Sequence, residues 1–379
     1  MTTSIVDAES LLAVDIGSVN TRALLFDVAD GQYRFVASAS AATTLAAPLA
    51  DVSEGVQSVL ERLEEVSGRR LVDSDYHLII PAQVDGSGVD RMVITFSAGS
   101  ELRVVTVGLL PEVSLESANR LAESTYGRVV DAIGLTDRRR PGQQVDAILR
   151  AGADLIILAG GTDQGATRSI VRLAELITLA CRVMPNDKIP QVLYAGNAAL
   201  AQKMRDLLAW YQVKVHAAPN IRPDIDQEDL LPAQELLAQV VGKIRSRQLG
   251  GLGTLASLAS QVPLPASHAL GRIIRFLSEI YDPAKGVLGV DLGANWTVMA
   301  AGMRGSLAER VEPLGLGAGL NQVMKQFSLE EIMRWFSAQI PPSVVRDYLM
   351  QKTLTPDSLP ISDESLQIEL GVARQILRH

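Results

Sequence analysis

Two short segments near opposite ends of the chain carry residues suited to phosphate and metal chemistry. They are Leu12-Ala13-Val14-Asp15-Ile16-Gly17-Ser18 and Leu288-Gly289-Val290-Asp291-Leu292-Gly293-Ala294. Each reads as a buried strand ending in Asp-x-Gly plus a small residue. A second apolar run follows each, over 21–28 and 297–303, so the pattern is strand, tight turn, strand, twice. Gly17 and Gly293 would let the backbone approach an anion and expose its amide donors. Asp15 and Asp291 could hold a hydrated Mg²⁺ that offsets the charge of a triphosphate. One Asp-Gly turn between strands is common for conformational reasons alone. Two in the same register predict a duplicated domain whose halves face each other across a cleft, each giving one phosphate-binding loop.

The 379 residues suffice for two or three domains with sizeable cores. A hydrophobic content of 47% against 21% charged residues is that of a globular protein rather than a disordered one. A formal charge of −8 and 4% aromatic residues leave neither a broad basic surface nor a stacking set, which argues against nucleic acid. The basic run Arg138-Arg139-Arg140 precedes Pro141-Gly142 and reads as a solvated loop. The single Cys181 excludes an internal disulfide, and a cytoplasmic setting is expected. No leader pattern opens the chain and no apolar run reaches membrane-spanning length. Scattered histidines at 77, 216, 268 and 379 make a tightly bound zinc site improbable.

The rest of the chain must position the two turns. After the first hairpin, 33–39 reads as a third strand. A helix over 52–66 follows, with Val52, Val56, Val59, Leu60 and Leu63 on one face. Strands are expected at 78–81, 91–96 and 102–109, the last two forming a hairpin around Gly99. From about 114 the texture changes to alternating helices and strands. The apolar run 154–159 leads into Gly160-Gly161-Thr162-Asp163-Gln164-Gly165 and a helix. A second unit then repeats the plan through Gly196-Asn197 and a strand at 213–216. This predicts a small doubly wound module, with ligands at the carboxyl ends of its strands. Gly160, Gly161, Thr162, Gly196 and Asn197 are therefore candidate anion or ligand positions, with tight packing as the alternative use of the glycines. Asp163 would cap the helix that follows and disfavour a second negative charge there. Residues 250–265 read as a loop or linker, and a helix over 266–282 feeds the second hairpin. A third strand ends near Val311, and Gly315-Leu316-Gly317-Ala318-Gly319 opens a helical segment.

Asp15-Ile16-Gly17-Ser18-Val19-Asn20-Thr21-Arg22 and Asp291-Leu292-Gly293-Ala294-Asn295-Trp296-Thr297 resemble the two phosphate motifs of the actin, Hsp70 and sugar-kinase superfamily. Ala159 to Gly165 and Tyr194-Ala195-Gly196-Asn197 match, in order, the middle motifs of one group within it. That is the MutL (GlmL) group, accessory proteins of adenosylcobalamin-dependent glutamate mutase. The resemblance runs from about residue 11 to the end, and does not concern the DNA mismatch-repair protein of the same name. It implies an α/β, actin-like ATPase fold: two RNase-H-like lobes with an inserted doubly wound α/β module. The expected division is 1–113 for the first lobe, 114–222 for the module, 223–285 for a helical return and 286–379 for the second lobe. ATP and Mg²⁺ are the implied cofactors. Gly17, Ser18, Asn20, Thr21, Arg22, Gly293, Ala294, Asn295 and Thr297 would bind phosphate, with Asp15 and Asp291 on the metal. A cobalamin-dependent mutase subunit is the implied partner, its inactivated cofactor being released as nucleotide moves the lobes. The sequence does not define an oligomeric state.

The departures from this pattern matter. Val19 and Arg22 replace a hydroxyl residue and a lysine of the first motif. In the second motif Trp296 replaces a threonine, and Val298 stands where the pattern ends in Asp. The loss of that carboxylate favours binding over turnover, at most a weak ATPase. After Gly319 only helices are expected, near 319–337, 341–351 and 363–378, and the chain stops within the last. The second lobe thus reads as incomplete: truncation or split coding is expected, with a natural variant lacking the adenosine site as the alternative. Two other functions stay open. A small-molecule kinase would need a base, for which Asp75, Asp85, Asp90 and Asp163 are candidates. An actin-like or pilus-assembly scaffold would tolerate degraded phosphate loops.

Overall fold

The computed structural model describes residues 10–282 and 284–379. The leaderless reading of the amino terminus falls on residues 1–9, outside the described residues. Strands β1 (Ser10–Ile16), β2 (Asn20–Ala29) and β3 (Gln32–Ala42) form an antiparallel meander, in which Ile16 pairs with Thr21 across the first Asp-x-Gly turn. Helix α1 (Val52–Ser67) crosses back over it. The Asp51 carboxylate accepts from Ser53 N–H at 2.8 Å to cap its start, and Gly68 ends it at φ +69°. Its predicted apolar face is the face that packs: Val52, Val56, Val59, Leu60 and Leu63 are all buried. Each contributes about 1.5–3 kcal/mol of transfer free energy. Strand β4 (Arg91–Phe96) then runs parallel to β1.

The expected hairpin around Gly99 does not form. Strand β5 (Leu102–Val107) leaves the first sheet and pairs in parallel with β6 (Gly127–Ile133) and β7 (Leu155–Gly160). The sheet of the inserted module therefore begins at β5, twelve residues before the expected boundary at 114. Helix α2 (Glu116–Glu123) and a short turn lead into β6. After helix α3 (Pro141–Ala151) and β7 come α4 (Arg168–Arg182), β8 (Gln191–Gly196), α5 (Ala201–Ala209) and β9 (Val215–Ala217). The strand order β6-β5-β7-β8-β9, all parallel, is that of a doubly wound sheet. Both β7 and β8 are buried at every position, which is why β7 reads as an unbroken apolar run. The expected strand at 78–81 is absent, with a single bridge between Val72 and Leu78 in its place.

Helix α6 (Leu231–Gln248) returns the chain from the module, and α7 (Leu252–Leu258) lies in the stretch expected to be loop. Strand β10 (Leu264–Pro265), also unforeseen, adds to the free edge of β4 and completes a five-stranded first sheet of order β10-β4-β1-β2-β3. Helix α8 (Ala266–Ile280) leads into the second meander, β11 (Val287–Leu292), β12 (Thr297–Met303) and β13 (Ser306–Glu312). Four helices follow: α9 (Leu320–Gln326), α10 (Leu329–Met333), α11 (Pro342–Leu354) and α12 (Asp363–Arg378). They share a separate core around Val323, Ile332, Val345, Leu349 and Val372. Among the described residues the second sheet has three strands, and none follows Gly319. No helix among them is long and apolar enough to cross a membrane.

Helix α8 lies across β12 and β13 with Gly271 facing the Glu309 side chain, where a Cβ would overlap the carboxyl group. Burial pushes the Glu309 carboxyl up to about 8, and the Glu235 carboxylate adds to the shift. Because the folded value lies above the 4.5 of a free glutamate, the stability this group contributes is full below 4.5 and is lost as pH rises through about 8. Glu309→Gln is expected to melt higher than the parent at pH 8–9 and to remove the parent's loss of stability between about pH 4.5 and 8. Equal melting temperatures at pH 9 would contradict the assigned burial.

Candidate nucleotide-phosphate cleft

The two Asp-x-Gly turns superimpose in hydrogen bonding as well as in sequence. Gly17 N–H donates to Asn20 O at 3.0 Å, and Gly293 N–H donates to Trp296 O at 2.8 Å. The close approach requires glycine at Gly17, where a Cβ would lie 2.6 Å from Asn20 O, and favours it at Gly293, where a Cβ would lie 3.1 Å from Trp296 O. Their own amides are thereby spent inside the turns, contrary to the expectation that they would face an anion. Among the described residues, the N–H groups of Ser18, Val19, Ala294 and Asn295 carry no hydrogen-bond partner, and these are the donors each turn presents.

Both turns line one cleft of about 170 Å³. It brings together Asp15, Gly17, Ser18, Asn20 and Arg22 from the first hairpin with Asp291, Gly293, Ala294 and Asn295 from the second. Thr21 and Thr297 lie outside it. Both are buried, Thr21 Oγ1 sharing a 2.9 Å hydrogen bond with Thr43 Oγ1 and Thr297 Oγ1 donating to Leu314 O at 2.8 Å. These two hydroxyls brace the turns from behind. A tight glycine loop braces the second turn further, Gly317 N–H and Gly319 N–H both donating to Ala294 O.

Electrostatically the cleft is short of positive charge. Burial raises the Asp15 carboxyl above its usual value; the Thr95 hydroxyl, donating at 2.7 Å, opposes this, the Asp291 carboxylate adds to it, and Arg22 opposes it less. The β1–β2 register sets Arg22 opposite Asp15, whereas the equivalent position opposite Asp291 holds Val298. Tyr126, between α2 and β6, closes the floor, and its phenol is held neutral by burial and by both carboxylates. Its hydroxyl accepts from Ser267 N–H at 3.2 Å, and its ring lies 5.2 Å from that of Trp296. Two buried polar atoms at the cleft lack partners, Asn295 Oδ1 and Trp296 Nε1. Two convergent carboxylates, four free amides, one arginine and two orphaned polar atoms fit a hydrated divalent cation carrying phosphate. Sequence reading missed Tyr126 and Ser97, which reach the cleft only through the module fold and the end of β4. Trp296 was legible only as a departure from a motif.

The second group of candidates is arranged for packing. Gly160 and Gly161 have φ of +123° and +73°, and a Cβ on Gly160 would lie 2.9 Å from Leu109 Cγ. Leu109 thus fills the crevice between the carboxyl ends of β5 and β7. Ser114 Oγ accepts from the N–H groups of Leu109 and Leu110, leaving neither for an anion. Gly196 meets Gly160 O, and Asn197 is buried with its Oδ1 accepting from Ala199 N–H at 3.0 Å. Thr162 O accepts from Gly165 N–H, closing the turn. The Asp163 carboxylate accepts from Ala198 N–H at 3.3 Å and Asn220 Nδ2 at 2.9 Å, so it caps the turn leading into α5 rather than the start of α4. Of the kinase-base candidates, Asp75, Asp85, Asp90 and Asp163 all lie outside the cleft. Asp90 is held by Ser10 Oγ and Ala82 N–H, and Asp85 by Ser87.

A five-stranded RNase-H-like sheet, a second three-stranded meander presenting the equivalent acidic turn to the same cleft, and a doubly wound insert define a protein of the actin-like ATPase fold. Within that class, the chain belongs to the MutL protein family, whose model matches residues 11–379. It is 24% identical over 296 residues to Protein MutL of Clostridium tetanomorphum, covering 76% of this chain. The chain spans only 57% of that relative's length. Among solved structures it is similar to a Ppx/GppA phosphatase of Aquifex aeolicus, at 11% identity over 93% of this chain and 65% of that one, with a TM-score of 0.26. It is also similar to a glycerol dehydratase reactivase, at 12% identity over 88% of this chain and 75% of that one, with a TM-score of 0.30.

Proposed function

We propose that the chain is a nucleotide-responsive accessory protein of reactivase type, binding Mg-ATP between its lobes and acting on a cobalamin-dependent mutase such as glutamate mutase. The observation that carries the nucleotide reading is the pair of equivalent turns facing one cleft, each with an aspartate and two free amides. Asp15 and Asp291 would hold Mg²⁺ through water, and the Ser18, Val19, Ala294 and Asn295 amides with Arg22 would hold phosphate oxygens. The metal supplies charge neutralisation of the triphosphate. A volume of about 170 Å³ suits phosphates and a hydrated ion rather than a whole nucleotide. The adjoining cavity of about 470 Å³, which shares Asn295 and Trp296 and includes Arg103, Ala318, Gly319 and Gln322, is the place for the nucleoside. Membership of the MutL family supports the mutase partner.

Binding and lobe movement, rather than turnover, are the proposed use of nucleotide. The second turn lacks the charged residue that Arg22 supplies in the first, and Asp15 and Asp291 are the sole carboxylates lining the cleft among the described residues. A carboxylate engaged on a metal is a poor base for water or an acceptor hydroxyl. Calorimetric titration with ATP is expected to show binding with Mg²⁺ and little with EDTA, accompanied by a change in Trp296 fluorescence. Glutamate mutase subunits should co-elute with the chain, and Mg-ATP should alter that complex. Absence of binding to ATP sinks the nucleotide reading, and absence of any mutase complex sinks the partner.

A further inference from the structure

A further cavity, of about 740 Å³, lies where the module meets the corner between α6 and α7. From the module it is lined by Gln191 at the start of β8 and by Lys214 and His216 at β9. From the return segment it is lined by Lys243 and Arg247, one turn apart on α6 and so on the same face. Ala256, Ala259, Val262 and Pro263 add an apolar surface. No Asp or Glu lines it, in a chain with 43 acidic and 35 basic residues. Lys214, Lys243 and Arg247 make no ion pair among the described residues, whereas the half-buried Arg139 and Arg222 are paired with carboxylates.

Two of these cations act on His216, which lines the same cavity. Burial lowers the His216 imidazole below its usual value, and Lys243 and then Lys214 lower it further. The ring nitrogen Nε2 meets Gln191 Oε1 at 2.8 Å, which fixes the ring in the wall. Like charges gathered without a counter-charge raise the free energy of the fold, and an anion between them relieves it. Three full charges match a dianion better than a monocarboxylate, and the apolar wall suits a ligand with a hydrocarbon body.

We propose that this cavity binds a small organic phosphate, its dianionic group held by Lys214, Lys243 and Arg247 and its apolar body lying against Val262 and Pro263. The site shares no lining residue with the cleft between the two hairpins, so it stands apart from the nucleotide reading. Its walls come from β8, β9, α6 and the segment leading to β10, so an occupied site joins the module to the chain that completes the first sheet.

The test uses the full chain and 1-naphthyl phosphate as probe, followed by calorimetry and by the NMR titration of His216, assigned through His216→Gln. Binding is expected to move the His216 titration to higher pH. In Lys214→Met/Lys243→Met that titration should already be higher without probe, and affinity should fall at least ~10-fold. Both lysines are exposed, so the variant should fold as the parent does. Unchanged affinity in the double variant overturns the proposal, as does binding that leaves His216 unmoved. Loss of probe binding in Asp15→Asn but not in the lysine variant overturns it by placing the probe in the other cleft. Preference for a hexaglutamate peptide over the probe overturns it in favour of a docking surface for an acidic segment.

Discussion

Asp15→Asn is expected to raise the melting temperature of the nucleotide-free protein while weakening Mg-ATP binding by about 1–3 kcal/mol, roughly 5- to 150-fold. The opposite signs have one cause. The Asp15 carboxyl is raised mainly by burial and further by the Asp291 carboxylate, so its ionised form is disfavoured in the fold. Stability from this group is full below the 3.8 of a free aspartate and is lost as pH rises through the raised folded value. Asparagine removes the charge and still accepts the Thr95 hydroxyl, which now bonds the carboxylate at 2.7 Å. A divalent cation between Asp15 and Asp291 would lift the same penalty in the parent, so the variant should lose Mg-dependent binding specifically. Scanning calorimetry at pH 7 and titration with and without Mg²⁺ measure the two effects. A variant that melts lower and binds Mg-ATP as the parent does would refute the metal role.

Trp296→Ala is expected to cost about 3–5 kcal/mol and to separate the unfolding of the second lobe from that of the first. Trp296 is 7% exposed and comes from the second turn, yet it packs in the same buried cluster as Leu102, Val104 and Tyr126 of the module. Its ring against Tyr126 adds about 0.5–1.5 kcal/mol beyond the area buried. Helices α9–α12 have a core of their own, so once the indole is gone they need not melt with the first lobe. Calorimetry should resolve two transitions or a broadened one. Trp296→Phe should keep most of the packing but lose the unpartnered Nε1 donor, and should therefore weaken nucleotide binding more than it weakens stability. A single transition at the parent temperature in Trp296→Ala would show that the indole does not couple the lobes.

Much of the site was legible because its signals are local. An Asp-x-Gly turn between two apolar runs specifies a hairpin from adjacent residues, and its repetition at Asp291 exposed the duplication. The face of α1 could be read for the same reason: Val52, Val56, Val59, Leu60 and Leu63 fall on one side at helical spacing whatever lies opposite. The fully buried β7 announced itself as a continuous apolar run, and the order of the middle motifs pointed to the family.

Pairing between distant segments was not legible. Arg91–Phe96 and Leu102–Val107 are adjacent and equally strand-like, and nothing in their composition says that they enter different sheets. Strand β10 is two residues long and exists only because β4 offers a free edge. The sequence by itself determined the two acidic turns, the inserted α/β module and the helical end. Tertiary structure alone decided that Thr21 and Thr297 face inward, that Leu109 fills the crevice beside Gly160, and that Tyr126 and Trp296 close the cleft. Turns and periodicities are set within a few residues by backbone geometry, whereas which groups are buried, paired or left free to meet a ligand depends on what the rest of the chain packs against them.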